Sequence, residues 1–320
     1  MHAIRLHEFG PPEHLRIEEL PDLAPATGQV RIAVEASGVH LLDTTLRQGL
    51  PGPMPPPELP TVPGREVAGT VDLVGEGVDP AWLGRPVVAH LGMVPGGYAE
   101  QAVTSVDNLI PRDGLDAAAA VALVGTGRTA VAVLEAAAIT ADDTVLVPAA
   151  AGGIGWLAVQ AARSHGARVI AAARGAEKTA RLKELEPDQV LDYADPGWAE
   201  LVDQRPSVVL DGVGGGIGRQ SLELLQPGGR MVMFGYSSGT PTAFTTDDVV
   251  SRSLSVSWTL GPRIMQRPGG PKALARRAVE HAVAGDWAPL VTAYPLAEAA
   301  RAHRDLEERR TLGKVVLLSR

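Results

Sequence analysis

Apolar and polar positions alternate in short runs through the first third of the chain. "QVRIAVEASGV" (29–39), "EVAGTVDLVGEGV" (66–78) and "RPVVAHLG" (85–92) are β-branched and punctuated by Gly and Pro, the pattern of half-buried strands. A β-rich lobe is expected over residues 1 to about 110. Between these runs lies "LPGPMPPPELPTVPG" (50–64), whose seven prolines are too stiff for a helix and exclude a central strand. It is expected to form an ordered surface loop beside a cleft.

From residue 144 the rhythm changes. "TVLVPA" (144–149), "RVIAAA" (168–173), "QVLDY" (189–193), "SVVLDGV" (207–213), "RMVMFGY" (230–236) and "LSVSWTL" (254–260) are apolar runs separated by stretches of helical period. Strands buried on both faces and joined by such crossovers predict a parallel sheet covered by helices. The closing "LGKVVLLSR" reads as one more strand, returning to the first lobe.

Composition narrows the chemistry. With 320 residues, 45% of them apolar, the chain can bury a full core, and its length favours two domains. Its net charge of −8 comes without any basic block, so nucleic acid is not an expected partner. The absence of cysteine excludes disulfides and thiolate-ligated metals and is compatible with a reducing compartment, the cytoplasm being the default. No export signal is read in the charged N-terminal stretch. The uncharged run 144–162 is broken by Pro148, three glycines and Gln160, and predicts strand, loop and helix, not a membrane span. A soluble protein follows.

The most informative local motif is "VPAAAGGIGWLAVQAARSHGARVIAAARG" (147–175). A strand enters a glycine-rich turn and then a helix with Ile154, Leu157, Ala158, Ala161 and Ala162 on one face. Gly152 would let the backbone approach a pyrophosphate, Gly155 would allow helix and strand to touch, and Ala150, Gly153 and Ile154 complete the turn at a helix end that favours anions. Ala150 stands where the first glycine of G-x-G-x-x-G is usual, so a tight turn without ligand is the alternative. About 20 positions on, where NAD sites carry an acid, the chain has Arg174, with Lys178 one turn later and Tyr193 ending the third strand. Cations and a hydroxyl there suit a 2′-phosphate, hence NADPH; two solvated surface charges are the alternative.

Taken in order, "ASGVHLLDTTLRQG", "VPGREVAGTVDLVGEGV", "GGYAEQAV", "GTGRTAVAVL", the glycine turn, "VLDGVGG", "GGRMVMFGYSSG", "YPLAEAARAH" and "GKVVL" resemble the zinc-independent quinone oxidoreductase branch of the medium-chain dehydrogenase/reductase superfamily over nearly the whole chain. The resemblance implies a Rossmann doubly wound parallel sheet (121–287) inserted in a GroES-like β-rich lobe (1–120 and 288–320), with substrate in the interdomain cleft. It implies a homodimer formed through the strand near "LSVSWTL". It also implies that Phe234, Gly235, Ser237 and Ser238 line the nicotinamide half of the cofactor, with Thr129 near the same ring.

The same resemblance bears on metals. Zinc-dependent relatives have ligands where this chain has His40, Arg65 and a residue near Thr126, and a proton-relaying hydroxyl where it has Leu42. One imidazole beside a permanent guanidinium will not hold a catalytic zinc, which needs three protein ligands. Asp43 is expected to pair with Arg65. His40, in a branch that often has Asn there and a tyrosine near Thr45, is expected to orient or protonate the substrate oxygen; a packing histidine is the alternative. The expected activity is metal-free, NADPH-dependent reduction of a quinone or α,β-unsaturated carbonyl. An enoyl-thioester or biosynthetic-intermediate reductase and a non-catalytic NADPH-binding protein are the alternatives.

Overall fold

The computed structural model describes residues 1–50 and 54–319. The chain divides into two compact units, Met1–Gly125 with Pro289–Arg320, and Thr126–Ala288.

The first unit is built on a sheet whose strands run in the order Val291–Pro295, Lys314–Leu318, Gln29–Val39, Glu66–Val74, Pro86–His90 and Leu109–Pro111, with Gln101–Ser105 also paired to Gln29–Val39. The closing strand lies antiparallel to Gln29–Val39, with Val315 opposite Val39. Inward alternation explains the register: Val30, Ile32 and Val34 face a core shared with Val67, Val71, Val87 and Ala89. The Gln29–Val39 and Glu66–Val74 pairing slips between Val34 and Ala36. There Gly69 passes so close to the carbonyl of Ala33 that no side chain would fit. Of the proline-rich stretch, residues 51–53 fall outside the described residues; 54–60 and 62–64 form no regular element, and Thr61 bridges to Leu6.

The second unit is a six-stranded, wholly parallel sheet in the order Gln189–Asp192, Arg168–Ala173, Thr144–Val147, Val208–Asp211, Arg230–Met233, Ser255–Trp258. All six strands read from the sequence are present. Thr144–Val147 and Val208–Asp211 are buried at every position, as central parallel strands covered on both faces must be. The chain winds outward from Thr144–Val147 in one direction, then restarts at Val208–Asp211 in the other. Loops at the carboxyl ends of those two strands therefore diverge and leave a crevice, the usual ligand position in such sheets.

The stretch 144–162 is strand, turn and helix, the helix running Gly153–Ser164. Among the described residues one helical run, Ala117–Ala137, is long and apolar enough to cross a membrane; 72% of its most apolar 18-residue stretch is buried inside the protein.

Candidate active site

In the second unit, the helix Gly153–Ser164 begins directly after the turn that follows Thr144–Val147. Its first backbone bond runs from the Trp156 N–H to the Gly152 carbonyl at 2.8 Å, so the N–H groups of Gly153, Ile154 and Gly155 precede the helical ladder. A Cβ on Gly155 would stand 2.5 Å from the Ala149 carbonyl oxygen and 2.7 Å from the Ala150 Cα, which explains glycine there. At Gly152 the nearest atom, again the Ala149 carbonyl oxygen, would be 3.3 Å away, a tight contact but a much milder one than at Gly155. Ala150 is fully buried and donates its N–H to Ala172 O at 2.9 Å. The left-handed residue of the turn is Ala149, at φ 54°, so no glycine is needed at 150.

Beyond the neighbouring strand, Arg174 lies over the Tyr193 ring at 5.8 Å. Lys178 lies in the first turns of the helix Ala176–Leu182. Asp192, which the sequence reading passed over, shapes this corner: its Oδ1 accepts from the N–H groups of Gly175 and Ala194, both at 2.8 Å.

Two further loops interlock across the crevice. Asp211, fully buried, accepts from the N–H groups of Val213 (2.9 Å) and Gly214 (3.0 Å) and from the Thr242 hydroxyl (2.5 Å). Ser237 and Ser238 donate their N–H groups to the carbonyls of Gly212 and Val213. Phe234 packs on Gly212, where a Cβ would meet the ring at 2.5 Å. "DGVGG" beside "FGYSSG" carried that signal: an acid at a strand end followed by glycines. Thr129 stands at the start of the helix Arg128–Ala137, which packs against Gly153–Ser164 and the strands Val208–Asp211 and Arg230–Met233. The candidate cofactor residues thus share one unit and, Thr129 apart, lie in the loops and the first turns of helices that follow the strands of its sheet. The fit is that of a dinucleotide: free N–H groups and a glycine opening for a pyrophosphate, then a guanidinium stacked on a phenol for a 2′-phosphate.

His40 belongs to the first unit, as the N-cap of the helix Leu41–Arg47. Its side chain is 27% exposed. Nε2 points inward, 2.6 Å from Glu66 Oε2 and 2.7 Å from Lys314 Nζ, and the lysine also donates to Glu66 at 3.0 Å. Burial would raise the Glu66 carboxyl, but the neighbouring His40 and Lys314 hold it well below the usual carboxylate range. Neither Glu66 nor Lys314 was singled out from the sequence.

Asp43 does not pair with Arg65. Its Oδ2 accepts from the His40 N–H at 2.8 Å, one half of a capping box, and from the buried Tyr98 hydroxyl at 3.1 Å. Two donors already hold the carboxylate at the helix start, so Arg65 turns away and donates to Met54 Sδ at 2.7 Å. Both residues line one cavity of about 330 Å³, walled by Leu6, Leu46 and prolines of the 54–63 stretch. His303 Nε2 lies 3.1 Å from the same phenol. Burial pushes the Tyr98 hydroxyl well up and His303 down to about 4, so this network is a neutral imidazole, a phenol and Asp43.

The metal question turns on donor chemistry. Among the described residues no three His, Cys, Asp or Glu side chains are grouped to hold an ion. His40 and Glu66 do approach each other, and the cation beside both is the ammonium of Lys314. A donor set with its own fixed positive charge is poorly suited to a divalent metal.

Comparison with known proteins agrees with both units. Residues 26–116 match the model for the alcohol dehydrogenase GroES-like domain and residues 153–275 that for zinc-binding dehydrogenases. The chain is 32% identical to the 2-haloacrylate reductase of a Burkholderia species, over 99% of this chain and 98% of that one. Its fold superposes on a quinone oxidoreductase of Escherichia coli solved with NADPH (TM-score 0.87, 30% identity, 99% and 100% coverage). It also superposes on an NAD-dependent alcohol dehydrogenase (TM-score 0.89, 30% identity, all of both chains).

Proposed function

We propose, because this chain belongs to the quinone oxidoreductase branch of the medium-chain dehydrogenase/reductase superfamily, that it reduces a quinone or an α,β-unsaturated carbonyl with NADPH and without a metal ion. The observation that carries the reading is the convergence, on one edge of the parallel sheet, of the glycine turn with its free N–H groups and the Arg174–Tyr193 stack. NADPH, when bound, supplies the hydride and thus the reducing chemistry.

The chain's own residues bind and orient. Gly152 to Gly155 receive the pyrophosphate, Arg174, Lys178 and Tyr193 the 2′-phosphate, and Phe234, Gly235, Ser237, Ser238 and Thr129 the nicotinamide half. His40 hydrogen-bonds the substrate oxygen. Hydride arrival on a quinone or enone leaves charge on that oxygen as a phenolate or enolate, which one N–H donor can stabilise and water can protonate. Metal independence is supported by the Lys314 ammonium beside His40 and Glu66. The same reading includes a homodimer through Ser255–Trp258, the edge strand of its sheet, whose Trp258 is 41% exposed.

A steady-state screen that follows NADPH loss against quinones, enones and crotonyl thioesters, and NADPH formation from NADP+ with alcohols, tests it. Turnover of quinones or enones is expected. Turnover of thioesters or alcohols alone, or of nothing despite NADPH binding, would overturn the reading.

A further inference from the structure

Two arginines line the cavity beside the helix Leu41–Arg47, and they are held differently. The buried Arg47 has its guanidinium engaged on two sides: Nη2 meets Glu307 at 2.6 Å and Nε donates to the Gly10 carbonyl at 2.9 Å. Arg65 has no such anchor. Among the described residues it pairs with no carboxylate, its Nη1 donates to the Met54 thioether, and its Nε is buried without an acceptor. Residues 51–53 are Pro, Gly and Pro and supply no carboxylate either. A thioether is a weak, uncharged acceptor, so this permanent cation lacks a counter-ion.

The backbone beneath Arg65 is fixed. Its carbonyl accepts from the Leu91 N–H at 2.8 Å, and the carbonyls of Gly64 and Pro63 accept from Gly97 at 2.9 Å and Tyr98 at 2.8 Å. Gly64 takes φ 84° against the Tyr98 ring, where a Cβ would overlap the ring, so only glycine fits. The charge is thus presented from a rigid base. Around it Leu6, Leu46 and the prolines make apolar walls, and Met93, 66% exposed, continues the apolar surface outward.

The other charges at the cavity limit what it accepts. Asp43 Oδ2 is held by the His40 N–H and the Tyr98 hydroxyl, and Glu58 is exposed. Two carboxylates in the lining oppose a dianion such as a phosphate monoester, whereas one guanidinium without a counter-ion matches a single carboxylate. A volume of about 330 Å³ lies at the small end of ligand pockets. A compact apolar body bearing one carboxylate suits both the walls and the charge.

We propose that Arg65 is a specificity-determining residue: its guanidinium receives a carboxylate of the acceptor, so the preferred substrates are small quinones or enones that also carry a carboxylate. This rests on the proposed reduction and names its substrate class. The carboxylate is a handle and is unchanged by the reaction. The enone β-carbon receives the hydride of NADPH, the C=C electron pair moves onto the carbonyl oxygen as an enolate, and a water proton at the α-carbon restores the ketone. The acceptor gains one hydride and one proton as NADPH becomes NADP+.

The probes are β-benzoylacrylate, its methyl ester, and the saturated acid β-benzoylpropionate with its own methyl ester. Calorimetry of the full-length protein should show the saturated acid binding at least tenfold more tightly than its ester. Arg65→Met should weaken binding of the acid about 10- to 100-fold and lower the kcat/KM ratio of the unsaturated acid to its ester by a similar factor. Its NADPH Kd should stay within about twofold, which separates loss of the site from loss of the fold. Arg65→Lys, which keeps the charge without the planar fork, should recover part of the preference. Equal affinity for acid and ester in the wild type overturns the proposal without any variant, as does an Arg65→Met protein that keeps the preference. Since the saturated acid binds without turnover, Arg65-dependent binding beside a failed acceptor screen would sink the proposed reduction and leave the carboxylate site standing.

Discussion

Gly125 and Glu66 share one small space: a methyl group on the glycine would occupy the position of the Glu66 Oε1 atom and come within 3.0 Å of His40 Cε1. Gly125→Ala should therefore displace the carboxylate and the histidine together. Overpacking of this kind costs about 1–3 kcal/mol, and activity should fall further than stability because His40 moves. Thermal unfolding and kcat measured on the same preparation check this; an unchanged melting temperature would show that the site relaxes freely.

The two glycines of the nucleotide turn should separate by function. Gly155→Ala meets the Ala149 carbonyl at 2.5 Å and should weaken both the fold and NADPH binding, whereas at Gly152 the same carbonyl stands 3.3 Å from the added Cβ, so Gly152→Ala needs a shift of only a few tenths of an ångström and should lower the melting temperature far less. If Gly152 faces the pyrophosphate, its variant still loses about tenfold or more in NADPH affinity, roughly 1.4 kcal/mol. Fluorescence titration and thermal unfolding of both variants separate the effects. Equal losses in the two would contradict the assignment.

Cofactor choice is assigned to Arg174, stacked on Tyr193. A charge-assisted hydrogen bond contributes about 1.5–3 kcal/mol, so Arg174→Gln should raise the NADPH Kd about 10- to 100-fold and change the NADH Kd by less than about twofold. Parallel calorimetric titrations decide it. A variant that loses both cofactors equally would place Arg174 outside the 2′-phosphate site.

His303 makes the first unit sensitive to acid. Burial lowers its pKa to about 4, while the unfolded chain binds the proton near the ordinary 6.5. The unfolded state therefore holds more protons between these values, and stability is full above about pH 6.5 and declines as pH falls towards 4. The loss approaches about 3 kcal/mol. Denaturant unfolding from pH 7.5 to 4 should show this slope, and His303→Gln should flatten it.

Local patterns made much of the molecule legible. The six parallel strands were readable because each is a short apolar run bounded by its own turn, and the glycine turn because its demands are met within nine residues. The cluster at His40 was not. His40 and Lys314 are 274 residues apart and meet only because the closing strand pairs with Gln29–Val39. In the sequence, Lys314 is an ordinary charge at a strand end. The available signal was the placing of Glu66 and Lys314 at the heads of their strands, each followed directly by apolar residues. The Asp43–Arg65 expectation failed for a related reason: opposite charge nominated a partner, while a backbone N–H three residues away and a phenol 55 residues away were better placed.

The central claim is that this chain delivers hydride from NADPH to an unsaturated acceptor without a metal ion. Protein dialysed against a strong chelator, then supplied with NADPH carrying deuterium at both C4 positions and a quinone or enone, tests it by product mass. The account predicts one deuterium in the enone product, at a rate unchanged from untreated protein. Loss of turnover on chelation with recovery on adding zinc, or an enone product without deuterium, would contradict it.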